Sequence, residues 1–133
     1  MIGVAVVTHG RLGAELIKTA EFILGRIENV VAVSIDDQRS PDALRAEIEQ
    51  AVKTVDKGKG VLILTDMFGG TPSNLSLSLL SNGRVEVLSG VNLPMLIKLI
   101  QCRSQMKLTD LAQTVSTYAR NSINVAGQLL GPS

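Results

Sequence analysis

The chain has one histidine, His9, set in Thr8-His9-Gly10-Arg11 directly after the apolar run IGVAVV. An imidazole can serve as a general base or accept a phosphoryl group on a ring nitrogen. A carboxylate bonded to its other nitrogen would fix the tautomer and leave the free nitrogen nucleophilic. Asp66 is the candidate partner, because it follows a second apolar run, VLIL, in Thr65-Asp66-Met67-Phe68-Gly69-Gly70-Thr71-Pro72. In that segment Gly69 and Gly70 supply flexible backbone, Thr71 a hydroxyl, and Thr71-Pro72 the start of a helix, a set suited to cradling a phosphoryl group. Gly10 leads into another helix start, whose free N–H groups favour an anion, and Arg11 could offset phosphate charge.

Each of these residues also has a plainer reading. His9 could be a loop histidine without a task, Asp66 a loop brace, the glycines a turn, and Arg11 a solvated first-turn side chain. Phe68, with Met67 beside it, reads either as core or as an exposed apolar anchor for a partner. Ser73 and Asn74 read as surface caps. Neither GxxxxGK[ST] nor GxGxxG occurs, so binding of ATP or a dinucleotide has no warrant, and no cofactor is expected. Cys102 stands alone, which excludes an internal disulfide and a Cys-rich metal framework. With no second histidine a zinc site is not expected, although Asp36 and Asp37 leave a weak Mg²⁺ site open.

The elements that would position these groups follow from hydrophobic spacing. Runs at 2–7, 30–35, 61–64 and 85–88 are short and apolar, as in strands covered on both faces. Between them, Leu12, Leu16, Ala20 and Ile23 recur at helical spacing before Gly25. Ser40-Pro41 reads as the cap and first position of a second helix, ending before Gly58. A third helix is predicted from 72 to 81, closed by Asn82-Gly83, and a fourth from Asn92 or Leu93 to Cys102. A fifth starts at Leu108 or Thr109 and runs through Tyr118 and Ala119. Beyond it the tail reads equally as helix or as a short strand. The βαβαβαβα order implies a mostly parallel sheet with helices on both faces and right-handed crossovers. Ligands of such sheets bind beyond the carboxyl ends of the strands. Three junctions stand there: the His9 loop, the Asp66 loop and Ser89-Gly90-Val91-Asn92. With the second strand at an edge, the first and third become neighbours, and His9 comes within reach of Asp66.

Composition narrows the function classes. The 133 residues carry 13 basic and 12 acidic side chains, a net charge of +1, with 19% charged and 45% hydrophobic. This length suits one domain, 1–133, rather than two. The balanced charge gives no basic field for nucleic acid, and Phe22, Phe68 and Tyr118 are too few for a base-stacking platform. No stretch reaches the length of a membrane span, and the amino terminus lacks the positive region of a signal peptide, so a cytoplasmic, reducing location is expected.

Taken together, VVTHG with RLGAEL, then LILTDMFGGTPSN, then SGVNLPML resemble the IIA domain of the mannose family of the bacterial sugar phosphotransferase system, over about residues 2–128. The resemblance implies a phosphohistidine carrier that takes a phosphoryl group from phospho-HPr and passes it to a IIB component. By the same resemblance, His9 accepts phosphate on Nε2, Asp66 orients the ring through Nδ1, and Thr71 contacts the phosphoryl group. It implies a three-layer α/β/α sandwich of strand order 2-1-3-4, and an antiparallel fifth strand exchanged across a homodimer, favouring a strand at 122–127. It also implies indirect association with membrane IIC and IID components. No linker or IIB domain follows Leu130, so the chain is expected to work with a separate IIB protein or as a stand-alone regulatory relay. A hydrolase built on His9 and Asp66, and a non-catalytic binding module, are the competing classes.

Overall fold

Apolar strands must pair their backbone polar groups, and the crossover helices allow that pairing only in parallel. In the computed structural model, which describes residues 1–131, β1 (Gly3–His9), β2 (Val30–Ile35), β3 (Val61–Thr65) and β4 (Val85–Leu88) form one parallel sheet in the order β2-β1-β3-β4. Pro132 and Ser133 of the expected domain lie outside the described residues. The helices are α1 (Leu12–Leu24), α2 (Pro41–Val55), α3 (Thr71–Leu77), α4 (Leu93–Cys102), α5 (Leu108–Asn121) and α6 (Ala126–Leu129).

The strand alternation sorts the core into two halves. Val4, Val6, Leu62 and Leu64 face Ala20 of α1, Met95, Leu96 and Leu99 of α4, and Leu111 and Val115 of α5. Ala5, Val7, Ile63 and Val33 face the opposite layer, where Leu44, Ile48 and Val55 of α2 and Leu75 of α3 cover them. This is the expected three-layer arrangement. Each fully buried Leu or Ile contributes roughly 1.5–3 kcal/mol, so the two layers clamp the sheet from both sides. Helix starts follow the cap logic of the sequence. Ser40 Oγ accepts the Ala43 N–H at 3.1 Å, and Asn92 Oδ1 accepts the Met95 N–H at 2.9 Å.

Two expected boundaries change. The third helix stops at Leu77 rather than 81, because Leu79 and Leu80 donate to the Ser76 and Leu77 carbonyls in tighter turns and Ser81 pairs with Val85. Residues 122–127, expected as a strand, do not form one. The Ser122 and Ile123 N–H groups bond back to Ala119 and Arg120, and Ala126 begins the single turn of α6. A strand needs a neighbouring strand to satisfy its backbone, and within one chain this segment satisfies its own by helical bonds instead.

A residue without any sequence signal ties the amino ends of the strands together. Arg103, only 5% exposed, follows α4 and donates to the backbone carbonyls of Ile2 and Asn29 at 3.4 and 3.3 Å, and to that of Glu28. Burial lowers its pKa, and the nearby Glu28 charge opposes that shift.

Gly3 opens β1 under the end of α2, where a built Cβ would lie 2.2 Å from the Val55 carbonyl oxygen. That contact is with backbone, which cannot rotate away. Gly3→Ala is therefore expected to destabilise the fold by about 1–3 kcal/mol through overpacking. Urea unfolding checks this, and a variant as stable as the wild type would show that α2 shifts freely on the sheet.

Candidate functional site

Parallel register places the site. The β1–β3 pairing ends at Val7 opposite Thr65, so His9 and Asp66 emerge side by side beyond the carboxyl ends of adjacent strands. On the other flank His9 pairs with Ile35, whose carbonyl accepts the Gly10 N–H at 2.9 Å. Beneath the loop, the buried Thr8 Oγ1 accepts the Gly13 N–H at 2.8 Å and so fixes the first turn of α1 against the strand end.

The Asp66 carboxylate accepts three hydrogen bonds in this arrangement. Its Oδ2 accepts the His9 backbone N–H and meets the His9 Nδ1, each at 2.9 Å, while Oδ1 accepts the Met67 N–H at 3.0 Å. An ionised carboxylate only accepts hydrogen bonds, so Nδ1 carries the proton and Nε2 of the neutral ring keeps its lone pair. Burial pushes the Asp66 carboxyl pKa up. The hydrogen bonds from the His9 backbone and ring, and the His9 charge, outweigh burial and hold the group below its usual 3.8. The His9 side chain is 51% exposed and that of Asp66 13%, so the brace is sheltered while the ring reaches solvent.

The double-glycine loop closes against the nucleophilic edge of the ring. A Cβ built at Gly70 would sit 3.3 Å from His9 Cε1 and 3.6 Å from Nε2, and Gly70 has a φ of +83°. Both facts favour glycine: a side chain would be strained and would press on the Cε1 edge of the ring, next to Nε2. The loop's backbone bonding resumes at Asn74, whose N–H donates to the Gly70 carbonyl at 2.9 Å. The third junction is pinned to the same spot, since the Val91 N–H donates to the Thr65 carbonyl at 3.0 Å.

Of the residues singled out from sequence, His9, Asp66 and Gly70 are brought into contact. Gly10 and Gly69 lie in the two loops that carry them, and Thr71 is the first residue of α3. Arg11 is exposed and pairs with Glu15 of its own helix at 3.8 Å rather than with the ring. Met67 and Phe68 are 54% and 75% exposed, so the core reading of Phe68 is set aside. Ser73, expected as a surface cap, is fully buried in the first turn of α3, facing the sheet. Asp36 braces its own turn through the Gln38 and Arg39 N–H groups, and no metal-binding group of three or more His, Cys, Asp or Glu residues occurs among the described residues. Sequence reasoning missed the backbone donors of His9 and Met67 and the bond from Thr8, since nothing in a residue's identity announces where its N–H points.

Comparison with known proteins gives the same direction from independent sources. A family profile described as "PTS system fructose IIA component" matches residues 3–116. The "PTS system fructose-specific EIIA component" of Bacillus subtilis (strain 168) is 30% identical over 131 residues, covering 98% of this chain and 90% of that one. The "PTS system mannose-specific EIIAB component" of Escherichia coli (strain K12) is 35% identical over 103 residues, 77% of this chain but 32% of the relative, so the chain spans about a third of that protein. A crystal structure of phosphotransferase system component EIIA from Streptococcus agalactiae superposes with a TM-score of 0.86 at 31% identity, covering 95% of this chain and 98% of that one.

The lowered Asp66 pKa makes the brace pH-dependent in a definite sense. Its contribution to stability is present above the usual 3.8 and is lost as pH falls through the lower native value. Wild type and Asp66→Asn, compared by urea unfolding, are expected to differ at about pH 6 and to converge towards about pH 3. A difference constant across that range would show that the ionised carboxylate contributes nothing through its charge.

Proposed function

The chain belongs to the EIIA-man family of phosphotransferase-system IIA components, and from that premise we propose that it relays a phosphoryl group through His9. Family membership makes it a phosphotransferase component acting between HPr and IIB in sugar uptake. The observation that carries the assignment to His9 is the 2.9 Å contact from Nδ1 to Asp66, which leaves Nε2 as the exposed nucleophile.

In this reading the Nε2 lone pair attacks the phosphorus of phospho-HPr, the donor's P–N bond breaks, and the electron pair returns to the donor imidazole. The Nδ1 proton stays shared with Asp66, whose negative charge balances the positive charge that develops on the ring. Gly70 leaves room at Nε2 for the incoming phosphorus, and Gly69 and Thr71 offer N–H and hydroxyl donors around it, while Gly10, its own N–H held by the Ile35 carbonyl, lets the chain turn away from the ring. In the second step the Nε2–P bond breaks towards a IIB nucleophile, and the ring returns to its neutral, Asp66-bound form. Arg11 lies beside the entry as a solvated cation for a phosphorylated partner.

A relay has to be open to two proteins in turn. The ring is half exposed and is flanked by exposed Met67 and Phe68, a layout that suits protein docking better than enclosure of a small substrate. The location expected for such a relay is the cytoplasm, and no helix among the described residues is long and apolar enough to cross a membrane. A sugar specificity is not written at this site, because it handles phosphohistidine rather than sugar.

We also propose that two copies form the working unit. Among the described residues the outer edge of β4 has no partner strand beyond the single bridge to Ser81, and the tail carries exposed Ile123, Val125, Leu129 and Leu130. A tail exchanged onto a neighbouring copy would cover both. Light scattering is expected to give twice the 14.1 kDa chain mass. A stable folded monomer at micromolar concentration would sink the exchange.

Incubation with phosphoenolpyruvate, enzyme I and HPr, followed by intact mass, tests the relay. One phosphoryl group should be gained, stable to base and labile to acid, and lost in His9→Ala. Asp66→Asn should remain folded and transfer on the order of 10² to 10⁴ more slowly. Stoichiometric labelling of His9→Ala would overturn the assignment.

A further inference from the structure

At the amino ends of the strands, away from His9, lies a cavity of about 880 Å³. Its walls come from the turn before β3, the turn before β4, and the loop that joins α4 to α5. The exposed cations Lys59, Arg84 and Lys107 line it, and none is ion-paired among the described residues. Arg103 forms part of the wall, its guanidinium committed to backbone carbonyls. Asp56 is the one carboxylate in the lining, and its Oδ1 is occupied by the Gly58 N–H at 2.9 Å.

The lining therefore holds four cations and one carboxylate in a chain whose net charge is only +1, so the remainder of the protein is net negative. A positive excess gathered around a concave surface, with no acidic partner for these side chains among the described residues, raises the local potential and concentrates anions there. The start of α5 adds to the same field. Leu108 and Thr109 lie in the lining, and Lys107 at the cap position offers no side-chain acceptor for their N–H groups.

We propose that this cavity binds a small, hydroxyl-bearing metabolite with two phosphate groups, at a site separate from His9. The volume lies within the roughly 300–1,000 Å³ of small-molecule sites, more than one inorganic phosphate needs. Lys59, Arg84 and Lys107 come from three different segments, a spread that matches two anionic groups better than one. No aromatic side chain lines the cavity, so a nucleobase would find no stacking partner, whereas Ser104, Gln105 and Thr109 can bond hydroxyls. Arg103 gives the site a rigid back wall, since it joins α4 to the starts of β1 and β2. Occupancy would report a phosphorylated metabolite to the end of the domain opposite the relay histidine.

The test is an NMR titration of ¹⁵N-labelled protein with glucose 1,6-bisphosphate at about 0.15 M salt, where weak surface attraction is screened. Saturable shifts are expected at Gly58, Lys59, Gly60, Arg84, Leu108 and Thr109, with His9 and Asp66 unmoved. Free glucose should give none, and ATP should bind more weakly than the hexose bisphosphate. Joint substitution Lys59→Gln and Lys107→Gln, at exposed positions the fold does not use, should weaken binding about tenfold or more. Asp56→Asn, which keeps the oxygen that accepts the Gly58 N–H, should tighten it. His9→Ala should bind unchanged, so failure here is independent of failure of the relay. Absence of saturation up to about 10 mM, equal binding by the double variant, or shifts centred on His9 would overturn the site. Binding of ATP as tight as that of the hexose bisphosphate would overturn the ligand class.

Discussion

The site depends on one carboxylate oxygen doing two things at once. Asp66 Oδ2 accepts the backbone N–H of His9 and also holds its ring nitrogen. The first bond locks the position of the histidine backbone, and the second locks the ring on it, so the same contact sets both where the nucleophile starts and where it points. Neither bond would exist without direct β1–β3 pairing, because the two residues are 57 apart in sequence. Placing β2 at the edge, so that the chain crosses back past β1, is thus a requirement of the chemistry as well as of the sheet.

Much of this arrangement was legible in the sequence because its causes are local or periodic. Unbroken apolar runs mark strands buried on both faces, Ser40-Pro41 and Asn92 mark helix starts, and the lone histidine stands at a strand end. The departures have equally physical causes. The third helix shortens because a serine-rich segment before Asn82-Gly83 closes more readily by tight turns than by further α-helical bonds. The tail, readable as a strand, does not form one in the single chain because strand identity belongs to a pair of segments, and a partner is not encoded in the segment itself. Ser73 goes inward because the phase of a seven-residue helix is set by the loop that enters it, and two glycines carry little signal of that phase. Arg103 was invisible because its partners are carbonyls, which every residue possesses.

The two ends of the sheet are built on opposite economies of charge. At the carboxyl end the Asp66 carboxylate accepts three hydrogen bonds, and the ring it holds stays half exposed. At the amino end the cations around the cavity outnumber the acid, and only Arg103 is satisfied by the protein itself. Glycine is used differently as well. Gly70 provides access to a reacting nitrogen, whereas Gly3 allows α2 to close directly onto the sheet.

A carrier must hold its phosphoryl group firmly enough to resist water and loosely enough to surrender it to the next protein. Enclosing the group would serve the first need and defeat the second. In the proposed relay, the geometry around His9 meets both by dividing the labour between sheltered and exposed atoms. Asp66 itself is sheltered and holds Nδ1, which disfavours turning the ring to present that nitrogen. Nε2 lies beside the side-chain-free Gly70 on a ring that is half exposed, which in the proposed relay leaves a line of approach for a protein partner. Strengthening the grip on the phosphoryl group through further cations would slow release, which fits the placement of Arg11 on the rim, paired with Glu15 rather than with the ring. What the contacts of Asp66 fix is therefore the orientation of the His9 ring, which is the property the proposed relay requires.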